Sequence, residues 1–380
     1  MNKIIVIGGG FSGLTIANKL AKKARKYKLD ITLIEPKDHN FYEPDLIFYA
    51  FNNKKLSKLY KPMHKLVRKR VNHIGMRAKK VETEKKKVIL EDGTELDYDY
   101  LVLATGVKYI EKDFKYSEQK HIHHFYSPPA TEKFRQMIKR FKGGTIVISP
   151  STVPYKCPPA PVEFTFMLDS YLKKRKLRDK ATIKFLYPLS VPFTVKEAAV
   201  VVAEMYKKRG IEFVPYCNYE KVDIENKKFI SFEGEEIEYD ELVLLPIHEG
   251  QDIIKESGLG DKEGYVPTDK FTLQVKGHPN IYAIGDCTDL PTSKAGAVSH
   301  YSAPTIVKNI INQIKGKEAS AKYNGKTICF LVTSYQKAMM LDFSYNHPSR
   351  KYGLIPMRIY MLFKRLFRFL YFHILIKGII

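Results

Sequence analysis

Two sets of residues in this chain have types and spacings that could carry chemistry. The first is Gly8-Gly9-Gly10-Phe11-Ser12-Gly13, which directly follows the apolar run Ile4–Ile7. Glycines at this spacing permit a tight turn (Gly8), close approach of backbone to a pyrophosphate (Gly10) and tight packing of helix on strand (Gly13). The second set is four cysteines, Cys157, Cys217, Cys287 and Cys329, scattered and without a CxxC pair. That scatter argues against a zinc site and a secreted disulfide framework, so any thiol chemistry must join residues distant in sequence. Cys157 lies in a loop among Pro154, Pro158, Pro159 and Pro161, and Glu163 opens the segment that follows. A carboxylate there favours a helix N-terminus and could also relay a proton. Cys329 stands in the apolar run Ile328-Cys329-Phe330-Leu331, which by itself reads as a packed strand.

These residues need a frame. Residues 3–7 read as a buried strand, 14–27 as a helix and 30–34 as a second strand ending at Glu35, whose carboxylate can accept hydrogen bonds from ribose hydroxyls. Strand, glycines, helix, strand and acid in that order form a βαβ dinucleotide unit, and the helix N-terminus offers its free N–H groups to the phosphates. Residues 81–106 read as a β-meander returning to this sheet, and 229–245 as a second such return. The strand 280–284 ends in Gly285-Asp286, a carboxylate placed for a ribityl or ribose hydroxyl. Gly144–Ser149 begins a second possible unit, but the loop after it is prolyl and lacks the row of N–H groups that cradles a pyrophosphate. One dinucleotide is therefore expected, at the first site.

Composition narrows the class. The chain has 380 residues, 44 % of them hydrophobic and 28 % charged, which excludes a largely disordered protein. Its 64 Lys and Arg outweigh 41 Asp and Glu, a net charge of +23 that calls for an anionic partner, nucleic acid or lipid. No run of about 18 apolar residues exists, and the apolar start is too short for a secretory h-region. The segment from Pro356 to Ile376 decides between the partners. On a helix of about 100° per residue, Arg358, Lys364, Arg365 and Arg368 share an arc of roughly 120°, and the rest is mostly Met, Ile, Leu, Phe and Tyr. Such a basic amphipathic helix is expected to lie in a membrane interface, with its cations on an anionic lipid surface. The alternative is a core or dimer helix. Single-strand nucleic-acid binding needs exposed aromatics along a polar groove, which is not seen, so no nucleic-acid partner is expected. The histidines His121, His123, His124 and His300 read as surface or packing residues, and no metal site is expected.

Gly8–Gly13, Glu35, Ala104-Thr105-Gly106 and Gly285-Asp286 together resemble the flavoprotein disulfide reductase superfamily, with its two dinucleotide-binding domains. Within it, three segments resemble sulfide:quinone oxidoreductase. They are Tyr155-Lys156-Cys157-Pro158-Pro159-Ala160-Pro161-Val162-Glu163, the run from Asp289 to His300 containing Lys294-Ala295-Gly296, and Cys329 with the apolar basic tail beyond it. The resemblance implies an α/β fold with two Rossmann-like domains and a C-terminal amphipathic membrane-binding region. Residues 1–110 and 245–312 would form the FAD-binding domain, 111–244 the second domain with one redox cysteine, and 313–380 the second redox cysteine and the membrane anchor. It implies FAD as cofactor, held by Gly8, Gly10, Ser12, Gly13, Glu35, Ala78, Thr105, Gly106, Gly285, Asp286, Lys294 and Ala297, and sulfide and a membrane quinone as substrates. Cys157 and Cys329 match the two redox cysteines, with Glu163 as a proton relay. A bond between those two cysteines would be opened by hydrosulfide, leaving a persulfide and a thiolate. Many bacterial members carry a third cysteine upstream, where His121–Ser127 here has none. Cys217 and Cys287 are read as packing residues. The implied enzyme is a peripheral, monotopic protein of the cell membrane without a signal peptide, and a homo-oligomer is compatible with it. The nearest rival is a type-II NADH:quinone dehydrogenase, which the missing second glycine motif disfavours.

Overall fold

In the computed structural model, which describes residues 1–52, 55–111 and 114–380, two open sheets carry the chain. The first runs in the order Gln274–Val275, His278–Ala283, Tyr100–Leu103, Asn2–Ile7, Leu29–Ile34, Val71–Ile74. All its pairings are parallel except the edge pair Gln274–Val275 with His278–Ala283. Its central strand is apolar on both faces because both are covered. Ile4 and Val6 pack under the first helix with Leu14, Ile16 and Leu20, whereas Ile5 and Ile7 pack against Val81, Val88 and Leu90 of the meander. The meander is the three-stranded antiparallel sheet Ala78–Glu82, Lys87–Leu90 and Glu95–Asp97. The helix expected over 14–27 starts earlier and breaks: it spans Phe11–Ala21, and a separate turn Ala24–Tyr27 ends at left-handed Lys28.

The second sheet is parallel, in the order Ile122–His123, Glu241–Leu245, Gly144–Pro150, Ala181–Leu186, Ile211–Val214. It has its own antiparallel return, Tyr219–Asp223, Lys228–Ser231 and Glu236–Glu238. A two-stranded ribbon, Val107–Ile110 with Ile247–Gly250, joins the two sheets. The strand Thr327–Val332 carries Cys329 and pairs with Ala338–Phe343, and the helix Arg358–Leu370 packs on that ribbon. Among the described residues no helix is long and apolar enough to cross a membrane.

Candidate active site

The glycine loop is built as its spacing requires. Gly8 has φ +104°, and a Cβ there would lie 2.3 Å from the Ala104 carbonyl oxygen; one on Gly13 would lie 1.8 Å from that of Gly8. Around Gly10, by contrast, nothing comes within 4 Å of an added Cβ. That open side, at the N-terminus of helix Phe11–Ala21, fits a pyrophosphate. Glu35 closes the other side, where its carboxylate accepts the Gly9 N–H at 2.6 Å and the Lys37 N–H at 3.0 Å. Gly285, at φ +83°, leaves room for Ser12, whose hydroxyl meets that of Ser299 at 2.7 Å. Ser299 belongs to the helix Gly296–Ile314, which starts beside Ala297, so two helix N-termini converge next to Asp286. Thr105 and Gly106 follow the strand Tyr100–Leu103, and Ala78 opens the meander against the core under Ile34.

The Lys294 ammonium is engaged within its own segment. Its Nζ donates to the carbonyls of Asp286 (3.0 Å) and Thr288 (2.9 Å) and sits 3.7 Å above the centre of the Tyr265 ring. What Lys294 offers the site is backbone: its carbonyl accepts the Cys157 N–H at 2.8 Å. That bond holds the prolyl loop against the first domain, aided by Tyr126, whose hydroxyl donates to the Lys156 carbonyl at 2.8 Å. Cys157 itself is left-handed, φ +54°. For a residue with a side chain this conformation costs about 1–3 kcal/mol and concentrates at working sites. Lys156, which sequence reasoning passed over, pairs with Glu43 and lies 3.5 Å from Asp286 Oδ2, so it ties the loop to the end of the first sheet.

Glu163 is 2 % exposed on the helix Ala160–Lys174. Its Oε1 accepts the Val332 N–H at 2.8 Å and the Lys364 ammonium at 3.0 Å, and Lys364 also donates to the Phe330 carbonyl at 2.9 Å. One carboxylate, on the helix that follows the Cys157 loop, thus meets the Cys329 strand and the C-terminal helix. All four cysteines are free. Burial, and next the Glu163 carboxylate, push the Cys157 thiol up to about 12, with Lys364 opposing. Burial also raises the Cys329 thiol, again against Lys364, and the nearby Cys329 adds a smaller upward push on Cys157. Lys364 keeps its proton: burial acts against it, but Glu163 and then Cys157 outweigh that and raise it. The arrangement is two half-buried cysteines beside one ion pair, in which the ammonium is the group that compensates a thiolate.

The C-terminal helix turns the other way from the expectation. Lys364 faces Glu163, and Arg368 pairs at 3.1 Å with Asp45, another buried carboxylate. Arg358 and Arg365 bond Gln336 and the Tyr335 carbonyl at the edge. The exposed side is apolar: Ile359, Leu362, Phe363, Leu366 and Phe369. Two buried carboxylates draw part of the cationic arc inward, because an unpaired buried charge costs more than an exposed leucine. The sequence could show the arc but not which side faces the protein.

The remaining sequence candidates are structural. Cys287 is fully buried with its sulfur near the carbonyls of Leu103 and Ile284, and Cys217 lies in the core of the second sheet. His121 and His123 both bond the Glu241 carboxylate, and His124 is buried beside Tyr116. No group of three or more metal-binding side chains occurs among the described residues.

Comparison with known proteins matches the pyridine nucleotide-disulphide oxidoreductase family over residues 2–148 and 163–313. The interval between the two matched stretches holds the Cys157 loop. A mitochondrial sulfide:quinone oxidoreductase of Dictyostelium discoideum is 33 % identical over 91 % of this chain and 78 % of its own length. The chain belongs to the sulfide:quinone oxidoreductase family. The mitochondrial sulfide:quinone oxidoreductase of Mus musculus is 28 % identical over 99 % of this chain and 86 % of its own length. The crystal structure of the Aquifex aeolicus sulfide:quinone oxidoreductase has the same fold, with a TM-score of 0.83 at 20 % identity over 100 % of this chain and 92 % of that one. This family relationship establishes an FAD-dependent oxidoreductase and favours sulfide over NADH as reductant. The geometry at Gly10, Glu35 and Asp286 fits that cofactor.

Proposed function

We propose that this protein oxidises sulfide at Cys157 and Cys329 and passes the electrons through FAD to a quinone dissolved in a membrane. The observation that carries the reading is the Glu163–Lys364 pair, which binds the helix after the Cys157 loop and the Cys329 strand to the helix with the exposed apolar face. Hydrosulfide adds to one sulfur of a bond between the two cysteines. That bond breaks, a persulfide forms on one cysteine, and a thiolate is left on the other. In this buried setting the thiolate is costly, and the Lys364 ammonium offsets its charge, while Glu163 can take and return a proton at its other oxygen, Oε2. FAD, when bound, supplies the two-electron acceptor. The backbone of Lys294 and the left-handed Cys157 hold the loop in place for the exchange. The product is sulfane sulfur or polysulfide. In steady state, sulfide should reduce a soluble quinone analogue in the presence of the purified protein, and NADH should not. Turnover with NADH and none with sulfide contradicts the reading.

The same reading places the C-terminal helix on the membrane, by a route different from a cationic face. Ile359, Leu362, Leu366 and Phe369, with Ile355, form the inserted side. Arg358 and Arg365 stand exposed at its edge, where they can meet anionic headgroups. Exposed apolar patches of this kind mark interaction surfaces. Replacing Leu362, Leu366 and Phe369 together by Ser should lower the fraction of protein floating with anionic liposomes at least about tenfold, since each such side chain is worth roughly 1.5–3 kcal/mol on burial. The substitutions leave every polar contact of the inner face in place. Undiminished flotation removes this helix from the membrane interface.

A further inference from the structure

Beyond Leu370 the chain does not continue along the surface. A π-helical turn, Tyr371–Leu375, carries it into the glycine loop. The Tyr371 hydroxyl donates to Asn40 Oδ1 at 2.8 Å, and Asn40 Nδ2 donates to the Gly9 carbonyl at 3.0 Å. Both side chains are buried, Tyr371 at 7 % exposed and Asn40 at 5 %. The Tyr371 ring stacks on Phe11, the first residue of the phosphate-facing helix, with centroids 5.1 Å apart, and its edge meets Tyr42 at 4.9 Å. One tyrosine therefore touches the helix start directly and the loop through Asn40.

The docking behind it is polar and specific. Asn18, fully buried in the middle of the first helix, donates to the carbonyls of Ile376 (2.8 Å) and Leu66 (2.9 Å) and accepts the Arg68 N–H (2.9 Å). Gly378, at φ +61°, lies so close that a Cβ would come 2.9 Å from the Lys19 nitrogen. Lys22 donates to the Gly378 carbonyl at 3.1 Å.

Three consecutive glycines form the loosest backbone a chain can have, and ordering them around a ligand costs entropy. Here Gly9 is held from both sides, its N–H by Glu35 and its carbonyl by Asn40. The first is the acid that every βαβ dinucleotide unit carries; the second depends on a residue more than 300 positions away. We propose that Asn40 and Tyr371 are positioning residues of the dinucleotide site. They fix the Gly9 peptide in the orientation that leaves the open side of Gly10 free for the pyrophosphate, so that FAD affinity depends on the same C-terminal segment that carries the exposed apolar face. The inference rests on the FAD site alone and requires neither sulfide chemistry nor membrane binding.

The test is titration of purified apoprotein with FAD, followed by quenching of flavin fluorescence. Tyr371→Phe keeps the ring stack and removes only the hydroxyl. It should raise the Kd for FAD about tenfold, the effect of leaving one buried acceptor without its donor. Asn40→Ala should raise the Kd by at least as much. Combining the two should add nothing beyond Asn40→Ala, because both act on one chain of hydrogen bonds. Asn40→Asp keeps the shape but sets a carboxylate against the Gly9 carbonyl, and should not rescue binding. The thermal midpoint of each apoprotein is measured alongside: a positioning role predicts weaker FAD binding with the midpoint held within a few degrees. An unchanged Kd in Tyr371→Phe, additive losses in the double variant, or a Kd that rises only in step with a falling midpoint would overturn the proposal.

Discussion

Cys157→Ser and Cys329→Ser each lower the rate of sulfide-dependent flavin reduction by at least about a thousandfold, as expected when the covalent sulfur chemistry loses one of two thiols that act as a unit. Neither serine can form the bond that hydrosulfide opens, and the remaining cysteine has no sulfur of the chain to exchange with. The substitution is small in volume, so the fold survives and the flavin stays bound. Cys217→Ser is the control, since that residue lies in the core of the second sheet, away from both redox cysteines. Stopped-flow absorbance of the flavin under anaerobic conditions reads the rate. A variant of either cysteine that reduces at the wild-type rate removes that residue from the mechanism.

The second large effect is expected at the ion pair. Lys364→Met leaves Glu163, 2 % exposed, as a buried carboxylate without its cation, and breaking such a pair typically costs about 3–5 kcal/mol. The loss shows as a lower unfolding midpoint. It also shows in the thiols, with a sign that a general loss of stability would not produce. Lys364 holds the Cys157 and Cys329 thiols down against the larger effect of burial, and Glu163 acts with burial to hold them up. At fixed pH near neutrality the reduced Lys364→Met protein is therefore alkylated more slowly at both cysteines than the wild type, and Glu163→Gln more quickly. In Glu163→Gln the amide oxygen can still accept the Val332 N–H, so the strand stays anchored. The double variant Glu163→Gln with Lys364→Met recovers most of the stability because no unpaired charge remains. It recovers little of the turnover, because nothing offsets the thiolate. Alkylation that moves in the same direction in both single variants contradicts the assignment of Lys364 as the compensating cation.

The parts of this site that were legible in the sequence are those that backbone geometry dictates. Gly8 and Gly13 face backbone atoms that no Cβ could clear, so their spacing alone marks the loop. The prolines around Cys157 speak against a second pyrophosphate cradle after the strand Gly144–Pro150. Cys329 gave no such sign. A cysteine in an apolar strand looks like any packed residue, and only the resemblance to a known family singled it out. Glu163 and Lys364 are 201 residues apart, and a side-chain pair across that distance leaves no period or motif behind. For the same reason the amphipathic helix was legible while its orientation was not. The arc of cations follows from 3.6-residue geometry, but which side turns inward is decided by Glu163 and Asp45, buried on other elements. At Lys294 the ammonium satisfies carbonyls and the backbone holds the Cys157 loop, contacts that no motif announces.

The measurement that bears most directly on the whole account is an anaerobic titration of the FAD-loaded protein with sulfide, following the main visible absorbance band of the flavin. The band is expected to bleach as sulfide is added and to return on addition of a quinone, with NADH producing neither change. A band that sulfide leaves intact while NADH bleaches it would contradict the account at its centre.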